Sequence, residues 1–138
     1  MANNLFWPAV AMALLTCIVW FRLYVVRIPE MQRRRIHPQK VAQSAQRDTL
    51  FEDTRASDNF KNLFELPVLF YLGLFVAQSS GQAGTTVVFL AWAFVVLRWL
   101  HSLIQCTYNR VMHRFAVYSA GAVVLWLLWA LLAYGLWR

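Results

Sequence analysis

Charged residues and cysteines are scarce in this sequence. Only 14% of the 138 residues are charged, against about 25% in typical soluble domains, and a 60% share of hydrophobic residues excludes an intrinsically disordered chain. Cys17 and Cys106 are the only cysteines and both lie in apolar runs, which excludes a disulfide-stabilised scaffold. The composition predicts one apolar domain, residues 1–138, that is solvated by a lipid bilayer.

Acidic residues and histidines are few as well. His37, His101 and His113 have no ligand-like spacing relative to either cysteine, so no metal site is predicted. The sequence has six acidic and 13 basic residues, and such an excess of positive charge is typical of nucleic-acid-binding proteins. The basic loops have no interleaved aromatic residues, however, so no nucleic-acid partner is predicted.

Four long apolar runs are present. They cover about residues 5–26, 60–77, 85–107 and 115–137, and each is close to the roughly 20 residues that a helix needs to cross a bilayer. An uncharged turn at 78–84 separates the second run from the third. These runs predict an all-α integral membrane protein, a multi-pass four-transmembrane-helix bundle with up-and-down topology that contacts membrane lipids.

The basic residues are concentrated in two of the connections between these runs. Nine of the 13 lie between residues 22 and 61, and Arg110 and Arg114 precede the fourth run, whereas the 78–84 turn has no charge. Cationic loops are retained in the cytoplasm. We therefore expect both basic loops to be cytoplasmic and both termini to lie outside.

Polar side chains within or beside the spans form three groups near one membrane boundary. Ionisable groups inside a bilayer are costly unless they face a cavity or a partner, and spacings of three and four residues place each group on one helix face. The groups are Arg55, Asp58 or Asn59, Asn62 and Glu65 on the second span, Arg98, His101, Ser102 and Gln105 on the third, and Arg110, Arg114 and Tyr118 at the fourth. Arg98 is too deep to reach the interface, and Glu65 is its expected partner. The pattern predicts a polar pocket between helices at the cytoplasmic side.

The predicted pocket combines several guanidinium groups with one carboxylate and an amide. Guanidinium groups bind carboxylates in a bidentate manner, and a lone carboxylate suits an ammonium group. This set favours a small zwitterionic peptide over an inorganic ion. An apolar second substrate can reach the same place through the bilayer.

The motifs on the second, third and fourth spans resemble those of the MAPEG family, the membrane-associated proteins in eicosanoid and glutathione metabolism. They are Asn62-x-x-Glu65 followed by Pro67, and Arg98-x-x-His101 followed by Arg114 and Tyr118. With the four spans and the long basic first loop, the resemblance covers nearly the whole chain. The segment DNFKNLFELPVLFY is similar to a bacterial branch, which implies a bacterial inner membrane.

The resemblance implies a homotrimer that binds glutathione as a co-substrate between adjacent subunits. By position, Arg114 would stabilise the glutathione thiolate and Tyr118 would lie beside it, the two catalytic residues. Asn62 and Glu65 would hold the amino end of the peptide. The implied glutathione-binding set also includes Arg34, Arg55, Asn59, Arg98, His101 and Gln105.

Two registers remain open for the motif on the second span. Family members commonly have Arg four residues before the Asn, but position 58, four residues before Asn62, is Asp. The register Arg55-Ala56-x-x-Asn59 restores that Arg and leaves Glu65 six residues downstream of the Asn. Gln105 stands where the family pattern has Tyr.

The resemblance favours a glutathione-dependent transferase or peroxidase that acts on a lipophilic small molecule. The alternative is a non-catalytic protein of the same fold that binds a lipid or an anionic metabolite in the same cavity. A small transporter is disfavoured because the fourth span has no charge and the polar groups cluster at one membrane side, where they cannot line a path across.

Overall fold

The computed structural model describes residues 5–42 and 49–137, and every regular element within these ranges is helical. Four segments are long and apolar enough to cross a membrane, which confirms the predicted all-α, four-span integral membrane protein. The elements are α1 (Phe6–Arg33), a short 3₁₀ turn (Pro38–Val41), α2 (Arg55–Asn62), α3 (Leu66–Ser79), α4 (Thr85–Cys106) and α5 (Val111–Trp137).

The helices extend beyond the predicted spans at the side of the basic loops. α1 continues to Arg33, seven residues past the predicted limit of 26, and α5 begins at Val111 instead of 115. The helix that leads into the second span begins at Arg55, where the backbone N–H donates to Asp53 Oδ1 (3.1 Å). The sequence pattern predicts a helical lead-in over 39–60. This is wrong for residues 51–54, which are not helical, and residues 39–41 belong to the short 3₁₀ turn; residues 43–48 lie outside the described residues.

The second span is interrupted at residues 63–65, so that α2 and α3 are two separate helices. Pro67 lies in the first turn of α3 and has no backbone N–H, and its ring would clash with the Leu63 carbonyl in a continuous helix. Glu65, the residue before α3, has φ −96° and ψ −106°, outside the helical region. The break changes the direction of Glu65 relative to the residues of α2.

The core is apolar and includes residues of α1, α3, α4 and α5. Phe70 and Phe94 are fully buried and stack with ring centroids 4.6 Å apart. Gly73 faces Leu128, where an added Cβ would lie 3.0 Å from the leucine side chain, so a larger residue at 73 would require Leu128 to shift. The outer surfaces remain rich in exposed large hydrophobic residues, as expected for helices that contact lipid.

Candidate functional site

A buried polar network joins α2 to α4 near the cytoplasmic end predicted above. Asn59 is fully buried, accepts a hydrogen bond from Ser102 Oγ (3.1 Å) and donates to Cys106 Sγ (3.4 Å). One turn later, Asn62 Nδ2 donates to Gln105 Oε1 (3.2 Å). Polar side chains within a bilayer are retained where they find partners in this way.

His101 continues this network towards α5. Its Nε2 lies 3.0 Å from Gln105 Oε1 and its Nδ1 lies 3.3 Å from the backbone carbonyl of Arg114. Both of these oxygens only accept hydrogen bonds, so a neutral imidazole donates to one of the two. The imidazole thereby connects the start of α5 to Gln105.

Arg98 lies one turn before His101 on α4 and is 1% exposed. One guanidinium nitrogen, Nη2, donates to the Asn62 backbone carbonyl (2.6 Å), and the guanidinium carbon lies 5.2 Å from the centroid of the Tyr118 ring, within cation–π range. In the described part of the chain, Glu65, the expected partner of Arg98, makes no direct ion pair with it; Glu65 accepts a hydrogen bond from Tyr118 (3.4 Å), the residue whose ring covers the guanidinium. Among the described residues, Nε and Nη1 of Arg98 have no hydrogen-bond partner.

An open cavity of about 230 Å³ lies next to these residues. Five of its seven lining residues are polar residues predicted from the sequence, and the other two form an apolar wall at the start of α5. The lining residues are Asn62, Glu65, His101, Arg114, Tyr118, Val111 and Phe115.

Two hydrogen bonds orient the functional groups at the cavity rim. Tyr118 donates its hydroxyl to Glu65 Oε2 (3.4 Å), and its ring contacts His101 with centroids 5.6 Å apart. Arg114 donates through Nη1 to Asn109 Oδ1 (2.9 Å). The cavity thus offers one guanidinium, one carboxylate, an amide and an imidazole within a small volume.

Asn109 is a site residue that the sequence analysis missed. It has a positive φ of 48°, a conformation that Asn tolerates better than most residues, and it lies in the connection between α4 and α5. An Asn in a short connection between helices is a recognisable turn signal. Its hydrogen bond to Arg114 could not be inferred from that signal alone.

Arg34 and Arg55 do not line the cavity of their own chain. Arg34 donates to Glu30 Oε1 (3.4 Å) and to the Leu50 carbonyl (2.8 Å). Arg55 donates to both carboxylate oxygens of Asp53 (2.9 and 2.8 Å). These hydrogen bonds hold the pKa of the Asp53 carboxyl below its ordinary value, with burial acting in the opposite direction.

The side chain of Asp58 is also outside the cavity and lies 3.7 Å from Lys61 Nζ. Of the remaining predicted residues, Asn59, Arg98 and Gln105 form the buried layer behind the cavity. The two registers of the second-span motif correspond to two parts of the site. Asn62 and Glu65 line the cavity, whereas Asn59 lies behind it and packs against α4.

The comparison with known families gives a match that covers nearly the whole chain. The model of the MAPEG family matches residues 5–134 of the 138-residue chain. No curated protein and no solved structure gives a significant match. Because the match includes all four spans and every residue of the cavity, this chain belongs to the MAPEG family.

Proposed function

We propose that this protein is a membrane-bound glutathione-dependent transferase or peroxidase that acts on lipophilic electrophiles. Glutathione is its co-substrate, and an apolar second substrate enters from the bilayer. The observation that carries the proposal is the joint lining of one cavity by Arg114, Glu65 and Asn62 beside an apolar wall.

The charges of the cavity lining complement those of glutathione. Glu65 is exposed at the rim and supplies a carboxylate for the peptide's ammonium group. Asn62 offers an amide next to it. Arg114 supplies the guanidinium that stabilises a thiolate, since a nearby cation lowers the pKa of a thiol.

The thiolate is the reactive species in both proposed reactions. In the transferase reaction, the sulfur forms a bond to an electrophilic carbon and the leaving group departs with the electron pair of its bond. In the peroxidase reaction, the sulfur attacks the terminal oxygen of a hydroperoxide, the O–O bond breaks, and the alkoxide leaves and is protonated to the alcohol. A second glutathione thiol then attacks the resulting sulfenic sulfur, which forms the disulfide and releases water. Val111 and Phe115 lie beside the sulfur position and provide the apolar contact for the second substrate.

The size of the cavity favours a site completed by a neighbouring subunit. Its volume of about 230 Å³ is below the roughly 300–1,000 Å³ of typical small-molecule pockets, and glutathione is a tripeptide. We therefore propose a homotrimer in which an adjacent copy closes the open side. Arg34 lies outside the cavity of its own chain, so a direct role for it in binding requires that neighbour.

The assembly is tested by measuring the mass of the protein in nanodiscs. We expect a trimer. A stable monomer that still binds glutathione would contradict the shared site and leave the rest of the proposal in place.

The activity is tested on purified protein with glutathione and two probes, a chlorodinitrobenzene and an organic hydroperoxide. We expect glutathione to raise the unfolding temperature and at least one probe to be consumed. Glu65→Gln should weaken the stabilisation several-fold, and Asp58→Asn, a carboxylate outside the cavity, is the matched control. If the wild type neither binds glutathione nor reacts, the enzyme proposal is wrong and the non-catalytic alternative replaces it.

A further inference from the structure

A second groove lies on another face of α4, between α4 and α1. It consists of two adjoining cavities of about 360 and 210 Å³ that share Trp99 and Leu103. Trp99 also donates its indole N–H to the Ala11 carbonyl (3.2 Å), which fixes the ring in the groove wall. The apolar lining residues are Ala11, Leu15, Ile18, Val19, Trp92, Val95, Val96, Trp99, Leu100 and Leu103.

The length and polarity of this groove match one lipid chain. From Trp92 to Cys106 the α4 helix rises about 21 Å at 1.5 Å per residue. This exceeds the roughly 15 Å of hydrocarbon in one leaflet, half of a 30 Å core. Because the groove opens on the lipid-facing side chains Ile18 and Leu103, an acyl chain can enter it sideways from the bilayer.

Arg22 lies at the polar end of the groove. Its Nη2 donates to the Cys106 carbonyl (2.6 Å), at the last turn of α4. Its Nε is buried and has no acceptor among the described residues. A guanidinium offers five N–H donors, so the described residues leave part of this hydrogen-bonding capacity unused.

The charge around Arg22 is positive. Arg55 lies nearby, with Nη1 donating to the Thr107 carbonyl (2.6 Å), and its charge is matched by Asp53 (2.8 Å). Arg22 is close enough to help lower the pKa of the Asp53 carboxyl, but both oxygens of that carboxylate already accept hydrogen bonds from Arg55. Two guanidinium groups and one carboxylate leave a net charge of +1.

We propose that this groove binds one anionic glycerophospholipid of the surrounding membrane. The phosphate lies against Arg22 and one acyl chain lies along Trp99 and Leu103. Arginine is well suited to phosphate because its planar donor fork matches the phosphate oxygens. This site is separate from the glutathione cavity and does not depend on the activity proposed above.

The test is native mass spectrometry of the full chain, titrated with phosphatidylglycerol and phosphatidylcholine of identical acyl chains. We expect about tenfold tighter binding of phosphatidylglycerol, about 1.4 kcal/mol, because the choline group of phosphatidylcholine adds a cation next to a site of net positive charge. Arg22→Gln should reduce that preference to near one. Arg110→Gln removes an exposed charge outside the groove and should keep it.

A second variant addresses the groove without changing Arg22, which also contacts the end of α4. Leu103→Trp should fill the groove and lower phosphatidylglycerol occupancy at unchanged oligomeric mass, whereas Val123→Trp on the lipid-facing surface of α5 should not. Equal affinity for the two lipids, or an equal loss in Arg22→Gln and Arg110→Gln, would contradict the proposal. A changed oligomeric mass with unchanged occupancy in Leu103→Trp would also overturn it, because a second copy would then cover the groove.

Discussion

Asn62 donates its side-chain amide hydrogen to Gln105 Oε1 (3.2 Å), which joins the end of α2 to the C-terminal half of α4. The same oxygen lies 3.0 Å from His101 Nε2. Gln105 is 1% exposed, so water does not compete for its amide oxygen. One buried side chain therefore organises two residues of the candidate cavity.

Replacement of Gln105 should destabilise the protein. Gln105→Leu leaves Asn62 Nδ2 and His101 Nε2 without this partner, and an unsatisfied buried polar group costs about 1–3 kcal/mol. The measurement is the unfolding temperature in detergent, with Gln39→Leu as a control because Gln39 is exposed. Equal unfolding temperatures for Gln105→Leu and the wild type would show that the network contributes nothing to stability.

Tyr118 should contribute to stability through its ring more than through its hydroxyl. The hydroxyl contact with Glu65 is long (3.4 Å) and exposed, so Tyr118→Phe should change the free energy of unfolding by less than about 0.5 kcal/mol. Tyr118→Ala removes the ring that covers the Arg98 guanidinium at 5.2 Å, and such a desolvated cation–π contact is worth about 2 kcal/mol. Unfolding of both variants under identical conditions measures the difference. Equal losses of stability in Tyr118→Phe and Tyr118→Ala would contradict this prediction.

Asp53 should make stability depend on acid pH. The Arg55 hydrogen bonds hold the folded-state pKa of this carboxyl below its ordinary value of 3.8. A depressed pKa means that the contribution is complete above about 3.8 and is lost as the pH falls through the folded-state pKa. The unfolding temperature between about pH 2 and 6 should therefore fall less steeply in Asp53→Asn than in the wild type. Identical acid limbs for Asp53→Asn and the wild type would contradict the prediction, and Asp58→Asn tests whether any lost carboxylate has the same effect.

The orientation in the membrane remains a prediction from the basic loops. Cysteine labelling in cells tests it, starting from a variant without Cys17 and Cys106. An impermeant maleimide should modify Ser80→Cys, in the uncharged turn, and should not modify Met112→Cys near the second basic loop. Labelling of Met112→Cys and not of Ser80→Cys would show that the topology is the opposite of the one predicted.

The spans could be predicted from sequence because hydrocarbon thickness fixes their length and excludes charge. The cavity residues His101, Arg114 and Tyr118 could be predicted because helical spacing places them near one boundary. The contact of Glu65 with Tyr118 could not, because the break at 63–65, just before Pro67, ends the helical periodicity between α2 and α3.

The contacts of Arg34 and Arg55 could not be predicted from the sequence pattern either. Arg55 contacts Asp53 and the Thr107 carbonyl, and Arg34 contacts Glu30 and the Leu50 carbonyl. One of these contacts joins residues 52 positions apart in the chain, and only the packed structure determines it. Both side chains are thereby placed outside the cavity of their own chain, to which the family resemblance assigned them.

The central claim is that Arg114 stabilises a glutathione thiolate in the cavity. The most direct measurement is the ultraviolet thiolate absorbance of wild type, Arg114→Ala and Arg110→Ala, each with millimolar glutathione and with the assembly verified by mass. The account predicts a thiolate signal in the wild type and in Arg110→Ala, and its loss in Arg114→Ala while fold and assembly are retained. A wild type that gives no thiolate signal, or an undiminished signal in Arg114→Ala, would contradict it.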